Sequence, residues 1–181
     1  MSTAIDELHN VLVQNAFELF GIPCNFELEL TQLNNKLYTL QKKFHPDNWV
    51  NSEEQIASLI TKVSSHINNC YQELKHPLAR ALLLLKIHDF TLDLTNDTQI
   101  SPIFLAEQIE LHELIDEYAN DLDKLAGLEL NIKHKQKLII TQLNDAFIAK
   151  QFALARDLTK QLAFYKRLIM LVANAIDKQQ S

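Results

Sequence analysis

Apolar residues recur at helical spacing along nearly all of this 181-residue chain. Leu33, Leu37, Leu40 and Phe44 stand at i, i+4, i+7 and i+11, one stripe of a helix over 31–44. Ile56, Ile60, Val63, Ile67 and Leu74 carry a longer helix that opens at "SEEQ", with Ser52 as N-cap and Gln55 at N3. Ahead of both, a short helix over 11–20 ends at Gly21 with Pro23 behind it. Pro77 opens a further helix, "PLARALLLLKI", and Ser101 caps another with Pro102 at its first position. Helical pattern then runs almost to the C-terminus, with breaks near 120 and 150; Gly127 either marks one or lies inside a helix. Residues 89–101, "DFTLDLTNDTQIS", are β-branched and Asx-rich without a 3.6-residue period, and read as a linker. The expected division is 1–90, a linker over 91–100, and a helical bundle over 101–181.

Composition sharpens the class. Two glycines in the whole chain are too few for hairpins and tight βα turns, which need positive φ, so the fold is all-α. A net charge of −6 argues against general nucleic-acid binding. The run "LLLL" at 82–85 is far shorter than a membrane span. The N-terminal "MSTAIDELHN" has neither a basic n-region nor an apolar h-region, so it reads as neither a secretory signal nor a transit peptide. Cys24 and Cys70 are too few and too far apart for a disulfide framework or a CxxC metal site. A soluble, reduced, intracellular protein fits these features.

The stretch "KKFHPDNW" at 42–49 carries the sharpest local signal. Pro46 pushes His45 out of helical geometry, so the preceding helix ends there and His45 and Asp47 stand on a loop between two antiparallel helices. A plain turn accounts for Asp and Pro. A catalytic pair is less well supported, because no nucleophile, metal cluster or phosphate loop lies nearby in sequence. Docking is the third reading, and the preceding helix favours it. Lys36, Lys42 and Lys43 are its charged residues between 31 and 44, with no acid, and Gln32, Lys36 and Lys43 align opposite the apolar stripe. A one-sign face on a net-negative protein suits an acidic partner.

A short helix, a basic helix ending in HPD, and a longer antiparallel helix together resemble a J-domain. The blocks "NAFELFGIP", "INNCYQELKHPLARALLLL" and "FLAEQIELHELIDE", in that order, are similar to the HscB family, J-protein co-chaperones of bacterial iron–sulfur cluster assembly. The resemblance covers residues from about 14 to 177. It implies an L-shaped, two-domain, all-α protein of the bacterial cytoplasm: an N-terminal J-domain with a short extension, and a C-terminal three-helix bundle. It further implies that Lys36, Lys42, Lys43, His45, Pro46 and Asp47 bind a DnaK-type chaperone, HscA. Asn48 departs from the family pattern, since many J-domains have lysine there.

In the C-terminal half, Phe104, Leu111, Ile115, Tyr118 and Leu122 cluster within about 40° of one helical direction, the expected core side. Leu105 and Ile109 lie off that direction beside Ala106, Glu110, Glu113 and Glu117, among seven acids and no Lys or Arg over 104–123. On the last helix Ala155, Leu158, Leu162, Tyr165, Ile169, Val172 and Ile176 form a stripe, with Phe164 about 130° away. Periodicity leaves open whether these off-stripe residues are an exposed binding face or the edge of wide buried faces. The resemblance implies the former. It assigns Leu105, Ala106, Ile109, Glu110, Glu113, Glu117 and Phe164 to binding the cluster scaffold IscU, with Ala106 standing where a related bacterial protein has the larger methionine.

Two isolated cysteines cannot supply the roughly four ligands of a cluster, and His66, His76 and His88 show no ligand-like grouping. No cofactor, metal site or catalytic residue is therefore expected. The function implied is an ATPase activator that brings IscU to HscA. A J-protein for another client, or a small enzyme using His45 and Asp47, are the alternatives.

Overall fold

The computed structural model describes residues 2–49, 54–95 and 101–180, and every regular element among them is helical. The chain divides into two compact units, 1–84 and 85–181, with the boundary inside a helix ahead of the segment 91–100. No described helix is long and apolar enough to cross a membrane.

Unit 1 is built around α4 (Glu54–Lys75), against which α1 (Ser2–Val13), α2 (Ala16–Phe20) and α3 (Leu30–Lys43) all pack. The α4 stripe is buried throughout: Ile56, Ile60, Val63, Ile67, Cys70 and Leu74. From α3, Leu33 is buried, and Phe44 just beyond its end joins the same core. The two helices run antiparallel. Tyr71 donates to Asn34, Gln41 to Asn68, and Ser64 to the Phe44 carbonyl, so numbers fall on α4 as they rise on α3. The expected capping box at Ser52 lies outside the described residues.

The single helix expected over 11–20 is two helices. Asn15 is extended, and its side chain accepts from the N–H groups of Phe17 and Glu18 while the Glu18 carboxylate accepts from the Asn15 N–H. That reciprocal cap stops α1 and restarts the chain as α2. Gly21, at φ 56°, ends α2 as expected, with the Ile22 N–H reaching the Phe17 carbonyl.

Helix α5 (Pro77–Ile87) follows α4 after one residue. Arg80 from its first turns is buried, donates to the Leu74 carbonyl near the end of α4, and stacks over Phe26 at 4.9 Å. Burial pushes its guanidinium down to about 10.

Unit 2 is dominated by the hairpin of α7 (Leu122–Ile148) and α8 (Phe152–Gln180), onto which α6 (Pro102–Glu117) packs. Ser101 caps α6 through the Phe104 N–H, with Pro102 in the first turn. The breaks expected near 120 and 150 fall at 118–121 and 149–151, and Gly127 lies inside α7. Leu122 is a correction. It opens α7 and is exposed, because α6 stops at Glu117 and the helical angle does not carry across the break.

The two thiols differ sharply. Cys24 is exposed, whereas Cys70 is buried on α4, and burial, helped by the Glu73 carboxylate, pushes its thiol up from 9.0 to about 11. Folding therefore favours protonated Cys70. That contribution is complete below pH 9 and disappears as pH rises through 11. In a thiol-reagent assay of native protein at neutral pH, one equivalent, the exposed Cys24, should react first, slowed by partial burial and the Glu18 charge that raise its pKa, and the second only as unit 1 opens. Two fast equivalents would contradict this packing.

Candidate functional site

The loop after α3 is fixed on both sides. Phe44 anchors it, with its ring in the core and its carbonyl bonded to Ser64 of α4. Pro46–Trp49 then forms one 3₁₀ turn, closed by the Asn48 N–H on the His45 carbonyl. The Asn48 side chain donates to the Lys42 carbonyl at 2.8 Å, satisfying an orphan acceptor in the last turn of α3. Asparagine at this position thus supplies a local brace where a lysine would supply charge.

Within the turn, the Asp47 N–H donates to His45 Nδ1 at 3.2 Å. In a neutral ring this makes Nδ1 the acceptor and leaves the proton on Nε2. The Asp47 carboxylate lies 3.6 Å from the same nitrogen, with a side chain 84% exposed. His45, Pro46 and Asp47 are therefore brought together as an exposed group on a braced turn. The arrangement offers a carboxylate of defined direction to an incoming donor, best matched by a guanidinium.

The three lysines do not share one environment. Lys42 is exposed. Lys36 reaches back to the Gly21 carbonyl, 3.5 Å away, at the end of α2. Lys43 is paired with Glu7 of α1 at 2.7 Å and also lies over the Phe44 ring. No sequence signal points to Glu7 as the partner of Lys43. Glu7 stands 36 positions from Lys43, and nothing local in the sequence marks α1 as folding onto α4, which brings Glu7 to the end of α3.

The second candidate surface is on α6. Leu105 and Ile109 are 48% and 53% exposed, and Ala106, Glu110, Glu113 and Glu117 are exposed beside them. Ile103, at the start of the helix, is an exposed apolar neighbour that the angular reading omitted. Behind this face, Glu107 accepts from Lys135 of α7 and from the Tyr165 hydroxyl of α8, so one carboxylate joins all three helices. Burial, reinforced by the bond to Glu107, pushes the Tyr165 phenol well up, so it remains a donor.

Phe164 is a correction. It was expected off the core, on the exposed patch, yet it is only 4% exposed. Its ring meets Phe104 edge-on at 5.3 Å, and lies against Tyr165 and His112. Helix α8 packs on α6 as well as α7, so two adjacent directions of the helix are interior. Leu168, in nearly the same direction, is buried too. Phe164 supports α6 from below and does not line the surface.

Among the described residues, no group of three or more His, Cys, Asp or Glu side chains could hold a metal ion.

Comparison with known proteins gives one consistent set of likenesses. Residues 100–171 match the family model described as the HSCB C-terminal oligomerisation domain. A Vibrio cholerae protein described as a co-chaperone protein HscB homolog is 33% identical over 157 residues, covering 85% of this chain and 92% of that protein. A Haemophilus ducreyi protein of the same description is 32% identical over 171 residues, 92% of this chain and 98% of its own length. The solved structure of chaperone HscB from Vibrio cholerae matches with a TM-score of 0.82 at 31% identity, over 92% of this chain and 99% of that one. Human co-chaperone protein HscB has the same fold, with a TM-score of 0.85 at 23% identity over 90% of this chain and 82% of that one.

Proposed function

Given that this chain belongs to the HscB family of co-chaperones, we propose that it stimulates ATP hydrolysis by an HscA-type chaperone and delivers the IscU scaffold to it, within bacterial cytoplasmic iron–sulfur cluster assembly. The observation that supports this most directly is the exposed Asp47 carboxylate on a braced turn, where the Asp47 N–H donates to His45, beside Lys42 and Lys43. We assign the J-domain to residues 1–90 and the scaffold-binding bundle to 101–181.

In this mechanism Asp47 accepts from an arginine at the chaperone's nucleotide-binding domain and interdomain linker, His45 and Pro46 fix its direction, and the lysines attract the acidic surroundings. On α6, Leu105 and Ile109 supply apolar contact to the scaffold, and Glu110, Glu113 and Glu117 select a basic rim. Carrying both sites on one chain raises the effective concentration of client at the chaperone. The protein acts as an activator, with no bond made or broken at its own residues.

Single-turnover ATP hydrolysis by the chaperone, with this protein and IscU added separately and together, tests the reading. The expected result is a rate increase with this protein that grows further when IscU is present. Stimulation that IscU does not change would keep the chaperone role and move the client elsewhere. No stimulation would return the HPD loop to an ordinary turn.

A further inference from the structure

Helix α1 precedes the first of the blocks that carry the resemblance, "NAFELFGIP", which opens at Asn15, yet it is folded onto unit 1. Leu8 and Val11 are its buried contacts, and the Gln14 carbonyl just beyond it faces His66 Nε2 at 3.1 Å. Ile5 and His9 line a shallow cleft with Ser58, Leu59 and Lys62 of α4. This placement brings the acidic side of α1 to the C-terminal end of α3.

The charges on the two helices are opposed. Helix α1 carries Asp6 and Glu7 and no Lys or Arg; α3 carries Lys36, Lys42 and Lys43 and no acid. Where they meet, Glu7 Oε1 lies 2.7 Å from Lys43 Nζ. We propose that α1 is an intramolecular brake on chaperone docking, in which Glu7 occupies Lys43 and lowers the positive field around the HPD loop. The inference rests on the docking role proposed for Lys43.

An acidic group of the chaperone reaching for Lys43 must first displace Glu7. Both side chains of the pair are more than half exposed, so the exchange is easy and sensitive to salt. The brake therefore tunes affinity and leaves the catalytic consequence of docking unchanged. It also favours a partner whose surface opposite Glu7 is neutral or basic over one that is acidic throughout.

The test uses the full chain and its chaperone in the single-turnover assay, read as half-saturating concentration and maximal rate. At low ionic strength Glu7→Gln should lower the half-saturating concentration about two- to five-fold, the range of an exposed ion pair, with an unchanged maximum. Glu7→Lys should lower it further. Both advantages should shrink at high salt, and Glu7→Gln should have no effect on a Lys43→Ala background. If Glu7→Gln docks like the parent or more weakly while Lys43→Ala weakens docking, the brake is overturned and the docking surface stands. If Lys43→Ala and His45→Gln both stimulate normally, the docking reading fails and the brake with it.

Discussion

His45→Gln should reduce stimulation of the chaperone ATPase at least tenfold while leaving helix content and unfolding midpoint unchanged. The fold is safe because the His45 side chain is more than half exposed and contributes nothing to the unit 1 core. The docking geometry is not safe. Nδ1 accepts the Asp47 N–H, and this bond sets the turn that aims the carboxylate. Glutamine has three side-chain torsions and no fixed ring acceptor, so it cannot hold that direction. A carboxylate no longer aimed at its donor forfeits a charge-assisted hydrogen bond worth about 1.5–3 kcal/mol, enough for a tenfold effect. Asp47→Asn removes the charge itself and should match it. Normal stimulation by both variants, in protein that melts like the parent, would remove the loop from the mechanism.

The paired substitution Leu105→Ala, Ile109→Ala should weaken scaffold binding by roughly 10- to 100-fold and leave ATPase stimulation in the absence of scaffold intact. Both side chains are about half exposed, so truncation leaves no cavity in the bundle. Their remaining apolar area, buried on a partner, is worth on the order of 1 kcal/mol each, and more at the centre of an interface. Phe164→Ala is a different experiment. It empties a site between α6 and α8 and should cost about 3–5 kcal/mol of stability, so any loss of binding would follow from a disordered α6. Titration calorimetry with the scaffold, alongside urea unfolding of each variant, separates the two. Unchanged affinity in the Leu105, Ile109 pair would place the client on another surface.

The helices were legible where one period and one cap agreed. The α3 and α4 stripes, the Gly21 stop and the Ser101–Pro102 start are strong local signals, and each falls where the sequence places it. Other features failed for physical reasons. Asn15 and Glu18 spell a capping box, but apolar residues on both sides of it extend one stripe through the break. The end of α7 is hard to see because the residue in left-handed geometry beyond it is Lys150, not glycine; Asp89 plays the same part after α5. Phe164 was misplaced because angle on a single helix cannot tell how many neighbours that helix has.

At the candidate sites, the composition of the HPD turn and of the acidic α6 face was readable as residue types. The bonds that give them direction were not. His45 to Asp47 and Asn48 to Lys42 depend on the shape of the turn, while Glu107 to Lys135 and Tyr165 depend on the packing of three helices.

The Asn15 cap has a consequence for how such a chain can change over generations. It satisfies the first amides of α2 with side chains from Asn15 and Glu18 themselves, so α2 needs nothing upstream to begin. Even so, residues 1–13 can be rewritten only as far as Leu8 and Val11 stay apolar, since both are buried in the unit 1 core. The leading helix is held to its composition on the face that carries Leu8 and Val11 and is free to change on the exposed side that carries Glu7.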